Sequence, residues 1–281
     1  MGCILVGMPY RLLALCLVLL HAAAPFARPA LFSRLGSSAA GRAPGIALRK
    51  RVHVNTLITE PDTIEIEWGG AFSTGGDFTL PAAIKYTPEG HHVWWGRTEF
   101  SAGFDSLSSS ADSGHRVTNF SDRATFAATC VVHDGDKLDL ALAPQASILL
   151  RGDRGARAGA TAIARYDTGR SSAGVTVTWT GATVSSATNP AGSIDVGAGY
   201  GYRLRPSGPL GHLTAHTNWL WEKSTGLDRQ VSAFEGVEYQ ITERAAVDFS
   251  GAHFAVWGGR LDNQVVVGLT VNTGRLHRER R

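Results

Sequence analysis

Cysteine is nearly absent from this chain: of three in 281 residues, Cys3 and Cys16 lie close to the N-terminus and only Cys130 lies beyond them. If the N-terminal stretch is removed on export, an intramolecular disulfide is excluded. Charge is also scarce. Asp, Glu, Lys and Arg make up 18% of the residues, with a net charge of +3, against roughly 25% charged in average soluble proteins. No basic clustering marks one face, which excludes a nucleic-acid footprint. Nor is there an apolar run long enough for a membrane-spanning helix, because the longest, Leu12–Leu20, is too short to cross comfortably. What is abundant is glycine, at 33 residues. With a mean hydropathy near zero, this is the composition of a sheet protein with many turns and closely approaching backbones.

The N-terminus reads as an export signal. Tyr10-Arg11 precedes the apolar run, and His21-Ala22-Ala23-Ala24 supplies small residues for cleavage. Residues 1–24 are therefore expected to be a signal peptide. Residues 25–51, rich in Ala, Arg, Ser and Gly without periodicity, are expected to be a flexible periplasmic lead-in. Residues 52–281 carry a different pattern.

That pattern is clearest in Thr63–Tyr86, two extended segments joined by Thr74-Gly75-Gly76. Ile64, Ile66, Trp68, Gly70 and Phe72 share one face, opposite Thr63, Glu65, Glu67, Gly69 and Ala71, because strand side chains alternate. Phe78, Leu80, Ala82, Ile84 and Tyr86 continue the apolar face, opposite Asp77, Thr79, Ala83 and Lys85. A hairpin of this kind is either half of a soluble sandwich or the wall of a barrel between lipid and water.

Segments of roughly ten residues then recur, separated by turn signals, as expected for strands tilted across a membrane. They fall at Val93–Asp105, Arg116–His133, Lys137–Leu150, Ala158–Tyr166, Gly174–Val184, Ile194–Leu204, Leu213–Trp221, Arg229–Ile241, Arg244–Trp257 and Asn263–Asn272. The repeat predicts an all-β fold: a transmembrane antiparallel up-and-down barrel of about twelve strands with both termini on one side. The tight turns Thr87–Gly90, Asp134–Asp136, Asp167–Arg170 and Thr242-Glu243 would then share the periplasmic end. Ser106–Gly114 would be the longest external loop.

Aromatic residues are expected at both interfaces: Phe72, Phe78, Phe104, Trp219, Trp221 and Trp257 outside, Tyr86, Trp94, Tyr200 and Tyr202 on the periplasmic side. Two strands resist assignment. Glu235 and Glu238 fall on opposite faces of one, and His253 shares a face with Val247 and Phe249 in the other, which a bulge or a contact at the barrel rim would explain.

The segment Glu60-Pro61-Asp62-Thr63-Ile64-Glu65-Ile66-Glu67-Trp68-Gly69-Gly70, the following Leu80-Pro81-Ala82-Ala83-Ile84-Lys85-Tyr86, and about ten further short strands resemble the outer-membrane barrels of the phenol-degradation meta-pathway transporter family. The resemblance implies a channel-like role in uptake of small, often aromatic or apolar compounds, and carries over no catalytic residue.

From alternation, the lumen would hold Glu65, Glu67, Lys85, Arg97, Glu99, Asp139, Asp195, Arg203 and either Glu235 or Glu238. Opposite charges there would pair across a narrow passage. The expected partners are membrane lipid, a small-molecule solute and the barrel-assembly machinery, in the cell outer membrane, with no metal or cofactor. Competing readings are a structural or surface-interaction barrel without transport and a soluble exported β-sandwich. A lipid hydrolase would need Ser232 or Ser250 beside His253, His212 or His216. His91-His92 reads as a turn rather than a metal site, and Gly197–Gly201 as a strand rather than a phosphate loop.

Overall fold

A computed structural model describes residues 58–73, 76–89, 95–112, 115–119, 123–150, 155–185, 190–204, 212–256 and 261–276. The expected leader and lead-in, His91-His92, Trp94 and Trp257 lie outside these residues. Thirteen strands form among the described residues: β1 Thr63–Ser73, β2 Phe78–Thr87, β3 Thr98–Asp112, β4 His115–Asn119, β5 Arg123–Asp134, β6 Leu138–Leu149, β7 Ala156–Asp167, β8 Ser171–Ala182, β9 Gly192–Arg203, β10 Leu213–Ser224, β11 Gln230–Thr242, β12 Ala245–Val256 and β13 Leu261–Arg275.

Each strand pairs antiparallel with its neighbour in sequence, apart from β4, and the ring closes where β1 meets β13, from Thr63↔Arg275 to Ser73↔Gln264. Strand β4 pairs with the far half of β3, whereas β5 takes the near half, so the closed wall has twelve strands and β3–β4 is a hairpin projecting from it. Closure removes sheet edges and satisfies the backbone groups that lipid cannot.

The segment Ser106–Asp112, expected to lie in a loop, is thus strand. Its serines read as loop residues, but pairing with His115–Asn119 supplies their backbone partners. The turn at Thr87–Gly90 is also longer than expected. Among the described residues of this connection, Trp95–Arg97 form a 3-10 turn before β3 begins at Thr98.

The tight turns 135–137, 168–170 and 243–244 do share one end with both described chain ends, where the Leu276 amide donates to the Asp62 carbonyl at 2.9 Å. At the second of these turns Gly169 has φ +80°, a conformation that a side chain would strain, and Asp167 Oδ1 accepts from its amide. One register irregularity falls between Leu80 and Pro81, where proline lacks a ladder donor.

Alternation sorts the side chains by face. Ile66, Trp68, Phe72, Ile84, Phe104, Phe126, Val177, Trp179, Phe249 and Val267 stand exposed outside, while Glu67, Glu99, Thr161, Asp195, Asp248 and Ser250 are buried inside. Tyr86, Tyr166, Tyr200, Tyr202 and Tyr239 all fall at the end that carries the termini. Phe72 and Phe78, 6.4 Å apart, mark the opposite end. Such an exterior belongs in hydrocarbon with amphipathic rings at its boundary, and a soluble sandwich would have to bury it.

Val267 lies near the middle of β13 and points outward. Val267→Arg should therefore destabilise the barrel by about 2–4 kcal/mol in guanidinium unfolding from phospholipid vesicles.

Candidate functional site in the barrel interior

Among the described residues, the inward side chains include four polar groups and one apolar patch. At the end that carries the termini, Lys85 Nζ lies 2.9 Å from Glu65 Oε1 and 3.0 Å from Glu67 Oε1. The register places Glu65 directly opposite Lys85, and Glu67 lies one inward position further along β1. Glu99 stands nearby on β3, where its Oε2 accepts from the Thr59 amide at 2.7 Å. The Thr59 hydroxyl is 2.8 Å from that of Thr87. The stretch before β1 therefore folds across the end of β2 and reaches the inner wall of β3.

A second group joins Arg165 to Asp139 at 3.2 Å and to Asp167 at 3.6 Å. Asp139 is its cross-strand partner on β6, and Asp167 is the next inward residue on β7. Toward the opposite end, Arg157 donates to the Pro190 carbonyl at 2.8 Å, Thr180 Oγ1 at 2.6 Å and Ser193 Oγ at 3.2 Å. The same wall carries buried Asp195, and Glu222 directly opposite it in register. Hydroxyl pairs fill the space between, with Thr161 and Thr178 in contact at 2.9 Å.

The fourth group is His216, whose Nε2 is 2.7 Å from Asp248 Oδ2, while Ser250 donates to Asp248 Oδ1 at 2.9 Å. Beside it lies the apolar patch of Ala252, Phe254 and Val266 with Ala71 and Phe234. The Phe234 and Phe254 rings meet edge to face at 5.6 Å.

Glu65, Glu67, Lys85, Glu99, Asp139 and Asp195 thus stand on the inner face, and Arg203 follows in the inward row that contains Thr214 and Glu238. Arg97 does not join them. It sits exposed in the 3-10 turn before β3, where strand alternation has not begun. Of the two ambiguous glutamates, Glu238 faces in and Glu235 faces out.

Arg157, Arg165, Asp248 and the Phe234–Phe254 pair were missed at the level of sequence, where His216 was weighed only as the base of a lipid hydrolase. The signal for the arginines was present: in β7 the outward residues are Ala156, Ala158, Ala160, Ala162, Ala164 and Tyr166, leaving Arg157, Gly159, Thr161, Ile163, Arg165 and Asp167 for the interior.

The serine and histidine candidates for lipid hydrolysis do not form a nucleophile and base. Ser250 and His216 both end on Asp248, so the hydroxyl gives its proton to the carboxylate and not to the imidazole. His253 faces outward, bonded through Nδ1 to Asn263 Oδ1 at 2.7 Å, and Ser232 is buried on the inner face.

No family model and no curated protein matches the chain. Solved structures resemble it in fold. The KdgM porin in complex with disordered oligogalacturonate is 11% identical, with 74% of this chain and 98% of that one covered at a TM-score of 0.51. The NanC porin is 10% identical, with 73% and 98% covered at 0.55. An outer membrane channel from Pseudomonas putida F1 is 9% identical, with 76% and 96% covered at 0.54. With the apolar exterior and closed wall described above, the chain is an outer-membrane β-barrel.

Lys85 is the shared cation of two inward carboxylates. Lys85→Met should therefore lower stability by about 1–3 kcal/mol in chemical unfolding, and Glu65→Gln by less, since Glu67 keeps its partner.

Proposed function

We propose that the barrel is a passive channel for small solutes, with the inner face as its path. The observation that carries this reading is an interior lined by charged and hydroxyl groups along a twelve-stranded wall. Eight strands suffice for side chains to fill a barrel, and porins of sixteen or more leave a wide aqueous channel, so twelve strands suit a restricted passage.

Glu65, Glu67, Lys85, Glu99, Asp139, Asp195 and Arg203 line the path in this reading, together with Arg157, Arg165, Glu222, Glu238 and Asp248. Acids predominate among these side chains, so the field inside favours cations over anions of equal size. The patch of Phe234, Phe254 and Val266 gives the apolar part of a solute a surface to cross. Membership of the phenol-degradation meta-pathway transporter family, and with it aromatic or apolar solutes, belongs to the same proposal. It is supported by the segments Glu60–Gly70 and Leu80–Tyr86. Among the described residues no three His, Cys, Asp or Glu cluster to hold a metal, and none is required for diffusion through a pore.

Single-channel recording in planar bilayers tests the proposal. Wild-type protein should give discrete conductance steps with a cation-leaning reversal potential under a salt gradient. The double change Glu65→Gln and Glu67→Gln should move that potential toward anions. Folded protein that gives neither conductance nor solute flux in liposomes would overturn the channel and leave a structural barrel.

A further inference from the structure

The lipid-facing surface is apolar along most strands but is interrupted on β11 and β12. Glu235 and Gly251 are directly opposed in register, and both lie near the middle of their strands on the outward side. His253 is the next outward residue of β12 toward the end opposite the termini, opposed by Ala233. On the other side of Glu235, Thr217 of β10 is its outward partner. No bulge turns these residues away from lipid, since the β11–β12 register runs without a break from Gln230↔Val256 to Gln240↔Ala246. On the adjoining strands, the corresponding surface carries Val196, Trp219 and Trp221.

Glu235 is exposed and makes no hydrogen bond or ion pair among the described residues. Beside it Gly251 leaves a notch: a Cβ built there would meet nothing closer than the Glu235 carbonyl oxygen at 4.0 Å. His253 has one ring nitrogen engaged by Asn263, and the other is left for a partner. An ionisable group at this depth is costly in hydrocarbon, and lipid offers it little. Acyl chains have no donor, and headgroup phosphates carry the same sign as a carboxylate.

We propose that this notch is the contact between two copies of the chain, related by a twofold axis along the membrane normal and passing between β11 and β12. A twofold interface must be self-complementary, with each residue meeting its counterpart's neighbour. An axis in this position sets Glu235 of each copy across from Gly251 and His253 of the other. The absent side chain at Gly251 lets the walls approach, and one proton shared between the carboxylate and the free imidazole nitrogen joins each pair. The two pairs are equivalent by symmetry, so neither glutamate is left facing lipid. The inference depends on the membrane location of the outer wall and is independent of whether the interior conducts.

The test is the association state of full-length protein in phospholipid vesicles, read by energy transfer between differently labelled copies as the protein-to-lipid ratio is varied. Wild-type protein should dimerise. Gly251→Trp, which fills the notch, and Glu235→Ala should each weaken dimerisation at least tenfold, while heat-modifiable gel mobility confirms a folded barrel. Exchanging the pair, Glu235→His with His253→Glu, should restore it. A wild-type barrel that stays monomeric over the whole range, dimers indifferent to Gly251→Trp, or an exchange that fails to restore them would each overturn the proposal.

Discussion

The backbone hydrogen bonds between β1 and β13 are the constraint on which everything else depends. In hydrocarbon an unpaired N–H or C=O has no solvent partner, so a sheet can cross lipid only if its first and last strands pair. That pairing joins opposite ends of the described chain, from Thr63 with Arg275 to Ser73 with Gln264. Once the ring is closed, each strand has two faces with opposed requirements. The outer face must be apolar, and the inner face is released from that demand. The charges of Glu65, Glu67, Lys85, Arg157 and Arg165 are tolerable because closure gives them an interior in which to pair.

Among the described residues the interior carries four local charged units. Lys85 with its glutamates lies on neighbouring strands, as does Arg165 with Asp139, while Arg157 reaches over β8 to β9 and His216 over β11 to β12. Register alone fixes the first two, because Glu65 opposes Lys85 and Asp139 opposes Arg165 on paired strands. The other two also need the curvature of the wall to bring strands that are not neighbours within reach. The apolar patch of Phe234, Phe254 and Val266, joined by Ala71 of β1, interrupts the polar lining where β11 to β13 meet β1.

Much of the fold was legible because a barrel writes its two environments into alternate residues. Ile64, Ile66 and Trp68 against Glu65 and Glu67 carry that signal without ambiguity, and the inward carboxylates follow from it. The pattern misled where alternation does not apply. Arg97 belongs to a 3-10 turn, and the serine-rich stretch before Asp112 forms a projecting hairpin whose partner strand, His115–Asn119, is only five residues long. Contacts between strands that are not direct neighbours, such as His216 with Asp248, depend on the curvature of the wall, which no single segment encodes. For Glu235 and His253 the difficulty seen in the sequence was real: both do face outward, and no bulge relieves them.

The composition of β13 bears on how the wall comes to exist. Val265, Val266 and Val267 are apolar on both faces of the strand, with Val266 buried inside and its neighbours exposed outside. Three consecutive β-branched residues on an unpaired edge are a template for association with any other strand. The native partners, β12 and β1, come from the preceding strand and from the far end of the chain. Contacts of such long sequence separation form slowly because the loop entropy must be met first. Until that pairing is made β13 has one edge open, so the order in which the barrel closes decides how long its three valines stay available to other strands.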